Sequence, residues 1–368
     1  MPVRVFALFL MICLLCGLCA CTADVAPPQE SESIADTETV SPPESTTEPE
    51  TTAEVVPETT KEIEEEPVTE LLADNCRFYC VSDTKSALLM WRYNGKNIAL
   101  SMCIKGVNQI FDVKNLYYNN DDAFTNDLSK YTLFITNGTD WLGPVVIKAN
   151  QNADGDFPDK SHFTGGNHGA DNSGKIEGNA PSGATRGLSI VIDGEMRESF
   201  SGYCNEVQIR WTDYVQAANT TKMDGTGREV LKEEHTAVFD GTDSGFRITT
   251  RFIALESITF LRLYGLQSSA TTKFDTVTFV GSKTGGEPQP IVPDLRGDLH
   301  TTSVRLDGPL SVEYGVTEGL ADGTYQTSHA AFTSGTKCYL FLINPNAPKK
   351  CVLDTEESVY YVGRYRFE

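Results

Sequence analysis

The sequence is short of positive charge. Thirty Lys and Arg stand against 51 Asp and Glu, a formal net charge of −21 over 368 residues. A chain without a positive excess argues against nucleic acid, which wants a basic footprint. Histidine is scarce, with five in the whole chain, so histidine-based proton transfer is confined to few positions. No apolar run reaches the roughly 20 residues of a permanent membrane-spanning helix. The Gly-x-Ser-x-Gly elbow, the phosphate-binding loop and His-Glu-x-x-His are all missing, which removes the enzyme classes built on them. Acids such as Glu206, Glu233 and Glu234 leave a glycosidase carboxylate pair open. Helical patterns are few and short; residues 123–130 are one candidate.

What is present begins with an address. Arg4 precedes a short apolar run, residues 5–18, which is the layout of an export signal. The run ends in Leu18-Cys19-Ala20-Cys21, which resembles the lipobox of bacterial lipoproteins. The resemblance implies cleavage after residue 20, acylation of Cys21 and anchoring at the outer face of the cell membrane. Residues 21–70 are Thr, Glu, Pro and Ser with almost no aromatic side chain, too little apolar surface to offset the entropy of ordering. A flexible tether is expected there, spanning roughly 40 Å as a coil and more when its charges repel. It holds 15 acids and one Lys between Thr22 and Glu70, so residues 71–368 carry only about −8. The acidity therefore says nothing about what the remaining domain binds.

Beyond the anchor stand Cys76, Cys80, Cys103, Cys204, Cys338 and Cys351. An even number in an exported chain permits disulfides. Cys338 and Cys351 flank two strands and a turn at Asn344-Pro345-Asn346, a possible hairpin staple, and Cys76 or Cys80 is placed to pair with Cys103. A zinc site among them is disfavoured, because no His stands at ligand spacing.

The chain after the tether reads as short strands between Gly and Asp turns. Runs at 87–93, 97–105, 131–136, 145–149, 187–192, 203–211, 230–239, 246–253, 258–266 and 274–280 are apolar or alternating, and 304–314, 337–343 and 359–367 follow. The expected fold is all-β: a β-sandwich of jelly-roll type with few short helices. Residues 71–285 would form the sandwich. Residues 286–368, after the connector Gly285-Gly286-Glu287-Pro288-Gln289-Pro290, would complete it or form a small appended β module.

A strand turns alternate side chains to opposite faces. Glu206, Gln208 and Arg210 oppose an apolar face, as do Arg247 and Arg251, whereas Arg262 and Tyr264 share a face with Phe260 and Leu266. Glu233 and His235 share one with Leu231, Ala237 and Phe239. Gathered on one curved sheet, these groups would make a saccharide groove. Arginines would neutralise a uronate carboxylate, and Tyr264 with His235 or His168 would move protons. The plainer reading is a solvated sheet face. The segment 162–171 adds His162, His168, Asn167 and Asp171 to three glycines, a loop suited to a ligand or a metal. Before it, Asn150, Asn152, Asp154 and Asp156 place oxygen ligands at alternate positions with Gly155, as in a calcium loop without its closing Glu. Calcium is the one cofactor the sequence suggests.

Two resemblances follow. Thr139-Asp140-Trp141-Leu142-Gly143-Pro144, the run from Phe163 to Gly169, and Tyr264-Gly265-Leu266-Gln267 resemble a group of phage tail-associated and surface-exposed bacterial β-proteins. The strand layout is similar to jelly-roll polysaccharide lyases of the alginate-lyase type. Glu206 and Arg210 match the first groove strand, and Tyr264 with Gln267 the last. Arg210 stands where the family's middle motif has His, so His235 or His168 would serve instead. The resemblance implies an anchored protein that acts on or binds an extracellular, acidic polysaccharide, with β-elimination as the enzymatic form. The alternative is a non-catalytic carbohydrate-binding or adhesion module.

Overall fold

The computed structural model describes residues 68–136, 140–170, 180–269 and 271–368. Cys21, the signal segment, all of the tether before residue 68, Thr139 and Asp171 lie outside them. Twenty-two strands follow in chain order: β1 (Phe78–Ser82), β2 (Ser86–Tyr93), β3 (Lys96–Lys105), β4 (Ile110–Asn119), β5 (Thr132–Thr136), β6 (Val145–Ala149), β7 (Gly183–Ile192) and β8 (Glu195–Arg197). Next come β9 (Phe200–Cys204), β10 (Val207–Gln216), β11 (Glu229–Phe239), β12 (Gly245–Ala254), β13 (Ile258–Ser269), β14 (Thr276–Val280), β15 (Gln289–Pro290) and β16 (Arg296–Asp298). The last are β17 (Ser303–Asp307), β18 (Val312–Gly319), β19 (His329–Thr333), β20 (Lys337–Ile343), β21 (Cys351–Leu353) and β22 (Ser358–Phe367).

The strands form three antiparallel sheets. One runs β5-β4-β3-β2-β1-β9; a ten-stranded sheet runs β15-β14-β17-β18-β22-β12-β11-β10-β7-β8; the third runs β16-β19-β20-β13-β21, with β6 on β13. Period-two patterning decides how they stack. In β12, Phe246, Ile248, Phe252 and Ala254 are buried and Arg247, Thr249 and Arg251 exposed. The buried face of the large sheet receives both smaller sheets. Phe78 and Trp91 of the first meet Phe239, and Phe260 of the third meets Phe252. This is a β-sandwich, one broad sheet opposed by two narrower ones. Trp91 is fully buried and satisfies its ring N–H on the Ser244 carbonyl at 3.1 Å. Removing such a ring from a packed core costs about 3–5 kcal/mol.

Residues 286–368 hydrogen-bond into the same sheets, since β22 lies between β12 and β18, and β20 and β21 both pair with β13. The connector supplies β15, a two-residue edge on β14. Two expectations need correction. Residues 123–130 form no α-helix; only Leu128–Lys130 make a 3₁₀ turn, because Asp127 accepts the Ser129 N–H and no apolar stripe extends the coil. The expected disulfides are not formed. Cys338 lies opposite Ser268 and Cys351 opposite Phe260 on the same strand, about 25 Å apart along it. A disulfide needs Cα atoms within about 7 Å. Cys80 faces Leu89 while Cys103 faces Ser86, which separates those two by roughly 10 Å along and 10 Å across the sheet. Cys76 sits beside Asn205 instead.

Candidate functional site

The groove residues expected from sequence divide into three places. Gln208, Arg210, Arg247 and Arg251 line the outer face of the large sheet, away from both smaller sheets, and Glu206 is exposed at the start of β10. Their partners are local: Arg210 donates to Gln208, Arg247 to Asp240, and Arg251 to Ser358 at 3.1 Å. These are the bonds of a solvated sheet face. Glu206 and Arg210 therefore do not share a groove with Tyr264, as the lyase layout requires, because Tyr264 belongs to β13 of the opposing sheet and faces the other side of the sandwich.

His235 lies on the other face, inside the sandwich. Its position follows from parity: 231, 233, 235, 237 and 239 all turn inward, and two of them are Glu and His. Register puts His235 opposite Trp211 on β10 and Thr250 on β12, and Glu233 opposite Asp213. The imidazole stacks on Trp211 with centroids 4.8 Å apart and planes at 15°. Its Nδ1 meets Thr250 Oγ1 at 3.0 Å. Its Nε2 faces Asp213 Oδ2 at 3.3 Å and Glu233 Oε2 at 3.5 Å. Burial works against the charge of His235, but the two carboxylates more than offset it and raise its pKa to about 9. Burial raises Glu233 above the usual carboxylate range, against the pull of His235. Asp112 is raised by burial as well, with Lys105 Nζ 3.0 Å away opposing the shift.

The third place is the outer face of the sheet that carries β13. Tyr264 on β13 pairs with Phe341 on β20, and Phe332 on β19 with Tyr339 on β20. Their rings touch in series: Tyr264 to Tyr339 at 4.3 Å, Tyr264 to Phe341 at 4.9 Å, Phe332 to Tyr339 at 5.0 Å, and His329 to Phe341 at 5.3 Å. At the other end Phe163 lies 5.1 Å from Tyr264 and 5.3 Å from His168. Arg262 donates to the Tyr264 hydroxyl at 3.2 Å, and its guanidinium lies over the rings of Phe163 and Tyr264. Phe163, Arg262, His329, Phe332 and Tyr339 are partly exposed, while Tyr264 and Phe341 are buried beneath them.

The glycine-rich loop is held against this strip from below. Asn108 is buried and donates to the carbonyls of Gly165, Gly166 and His168 at 3.1, 2.8 and 2.7 Å, while its own carbonyl accepts the Ser182 N–H. Gly166 has φ +47, and a Cβ there would lie 2.7 Å from the Asp140 carboxylate, so only glycine fits. Asp140 accepts the Asn167 N–H at 2.6 Å and faces His168 Nε2 at 3.4 Å. Burial pushes Asp140 up, but the hydrogen bond and charge of His168, with Lys105 and Lys337, hold its carboxyl below the usual carboxylate range. His162 stays apart, against Phe157 and Thr221.

Of the expected acid–base residues, then, Tyr264 and His168 share one neighbourhood with the substrate-binding candidate Arg262, and His235 is buried in the interior. The calcium candidates already have protein partners. Asn150 bonds Ser257 and Thr259, Asp156 accepts the Met223 N–H, and the Arg228 guanidinium bonds the Asn152 carbonyl and the Asp154 carboxylate. A guanidinium at that loop supplies the positive charge a calcium ion would bring. Sequence reasoning missed Asp213, Asp112, Asp140 and Lys105. Asp213 continues the inward parity of Val207, Ile209 and Trp211, a signal that was readable; the others depend on which sheets stack.

No family description and no curated protein matches this sequence. Solved structures with a similar course include a GH36 α-galactosidase from Geobacillus stearothermophilus in complex with stachyose, at 12% identity and TM-score 0.38, covering 78% of this chain and 40% of that one. The galactosidase domain of an α-galactosidase–sucrose kinase aligns at 9% identity and TM-score 0.39, covering 80% and 41%. A galactose mutarotase-like protein from Clostridium acetobutylicum aligns at 12% identity and TM-score 0.33, covering 77% and 95%. The chain spans about two fifths of the length of the two galactosidases. Likeness at this level carries no argument about activity, and it lends nothing to the lyase and phage-tail resemblances.

Proposed function

We propose that this protein binds carbohydrate on the aromatic strip formed by Phe163, Tyr264, Tyr339, Phe341 and Phe332. The observation that supports it is the unbroken series of ring contacts across three strands, bordered by Arg262 and His168. Phe163, Phe332 and Tyr339 are partly exposed above the buried rings of Tyr264 and Phe341, and apolar surface of this kind marks interaction sites. The C–H faces of pyranose rings stack on such surfaces, while polar groups at the edge fix orientation. Two strand gaps of about 4.8 Å give a platform about 10 Å across, enough for a disaccharide. Arg262 offers a charge-assisted hydrogen bond to an acidic sugar, which favours a uronate-containing polymer.

A second reading has one specific support. The Arg262 guanidinium touches the Tyr264 hydroxyl, and His168 lies one ring away. That arrangement suits β-elimination, with the cation on the carboxylate and the phenol as proton carrier. We further propose export and lipid anchoring through Cys21, with extracellular polysaccharide as the partner.

Retention of the protein on gels cast with neutral and acidic polysaccharides tests the binding reading. Retention by one polymer, weakened in Tyr339→Ala and Phe332→Ala, supports it; passage through every gel removes it. Absorbance of unsaturated uronate products in the same incubations, lost in Tyr264→Phe, would turn binding into lyase activity. Mass spectrometry of the mature N-terminus decides whether Cys21 carries lipid.

A further inference from the structure

The interior cluster around His235 has a composition that packing alone does not explain. The inward positions of β10 and β11 are apolar at 207, 209, 211, 215, 231, 237 and 239, yet Asp213, Glu233 and His235 interrupt them. Their exposures are 3%, 7% and 5%. Buried charges are costly unless they are paired or bind a metal. Asp112 and Asp140 are buried nearby, the first paired with Lys105 and the second with His168.

The three side chains converge. One oxygen of each carboxylate and the imidazole Nε2 all lie within 4.8 Å of one another. His235 Nε2 is buried and makes no hydrogen bond, although both carboxylates are near it. Its distances to them, 3.3 and 3.5 Å, are long for hydrogen bonds. They are close to the edge of a tetrahedron whose centre lies about 2.1 Å from each corner, roughly 3.4 Å. His235 and Asp213 are also held from outside. Thr250 Oγ1 meets Nδ1, and Thr185 donates to the other oxygen of Asp213 while accepting the Phe111 N–H. Metal-binding histidines and carboxylates are typically oriented by such partners. A cavity with room for about one water opens on the cluster, lined also by Asp112, Gly143 and Gly166.

We propose that Asp213, Glu233 and His235 form a binding site for one divalent transition-metal ion, zinc by ligand type, with water at the fourth position. One imidazole with two carboxylates suits zinc better than calcium or magnesium, which take oxygen ligands. A dication would offset the two carboxylates, with which no lysine or arginine among the described residues forms an ion pair. The site stands independently of the carbohydrate reading.

The test uses the full chain, stripped with chelator and dialysed. Elemental mass spectrometry after exposure to Zn²⁺ and re-dialysis is expected to give about one zinc per chain. Thermal melting should rise with Zn²⁺, and less with Ca²⁺. Co²⁺ in place of zinc should give the strong visible bands of a tetrahedral centre. His235→Gln and Asp213→Asn should each weaken uptake at least tenfold, whereas His300→Gln, on the surface, should not. Zinc absent after dialysis with no rise in melting temperature would overturn the proposal even if the variants fail to fold. So would equal uptake by wild type and His235→Gln.

Discussion

Gly143→Ala is the most informative single change to the scaffold. Gly143 lies in the segment that carries Asp140 and Trp141 along β13, donating its N–H to the Gly265 carbonyl at 3.2 Å. A Cβ added there would stand 1.4 Å from the Tyr264 carbonyl oxygen, 2.4 Å from its carbonyl carbon and 2.9 Å from its Cβ. Two of these are backbone atoms of a strand paired on both sides, so no side-chain rotation relieves the clash. The segment must lift from β13, breaking the bond to Gly265 and straining the Gln267 N–H bond to the Trp141 carbonyl. Overpacking of this kind costs about 3 kcal/mol. For a domain of about 300 residues that lowers Tm by roughly 5 °C. Gly194→Ala is the control: its φ is +81, but nothing lies within 4 Å of the added carbon, so the cost is the left-handed backbone alone, about 1 kcal/mol. Thermal melting by circular dichroism compares the two. Tm of Gly143→Ala within about 1 °C of wild type would refute the packing of this segment against β13.

Other outcomes follow from the same geometry. Asp140 has its carboxyl pKa lowered by His168 and the nearby lysines, so its ionised form stabilises the fold above the unfolded pKa and that contribution drains as pH falls below about 4. Asp140→Asn should flatten the acid limb of a stability-versus-pH curve; an unchanged limb would argue against the pair. Burial pushes the thiols of Cys80 and Cys338 up to about 12 and Cys351 up to about 11. All three should resist iodoacetamide at pH 8 in the native protein and react after guanidinium unfolding, as peptide mass mapping would show; rapid native labelling would contradict their burial. Arg247→Ala and Arg251→Ala, on the outer face, should change stability by no more than about 0.5 kcal/mol and leave retention on the polysaccharide gel intact.

Much of the sandwich was legible because alternation is a local property. The strands from 230–239 to 258–266 are visible as period-two runs, and the inward-facing Glu233 and His235 are visible as exceptions to that period. The functional grouping was not legible, since it depends on which faces stack. Glu206, Arg210, Arg251, Arg262 and Tyr264 are all polar or titratable groups on strands or at their ends, yet the first three and the last two lie on different sheets. The aromatic strip needed the pairing of β13 with β20 and of β20 with β19, contacts between residues 77 positions apart for Tyr264 and Phe341. The cysteine pairs failed for the same reason: spacing suggested a hairpin between 338 and 351, and both segments instead pair with opposite ends of β13. The glycine-rich loop was recognised as distinctive, but its holder, Asn108, comes from a turn between β3 and β4 that carries no sequence mark.

The central claim is the sugar platform, and calorimetric titration tests it most directly. An oligosaccharide of the polymer that retains the protein would be titrated into wild type, into Phe332→Ala/Tyr339→Ala, and into Arg247→Ala/Arg251→Ala. We expect the aromatic pair to weaken binding at least tenfold, about 1.4 kcal/mol, with the outer-face arginine pair unchanged. Undiminished binding by the aromatic variant, with loss in the arginine variant, would move the site to the opposite side of the sandwich and contradict the account.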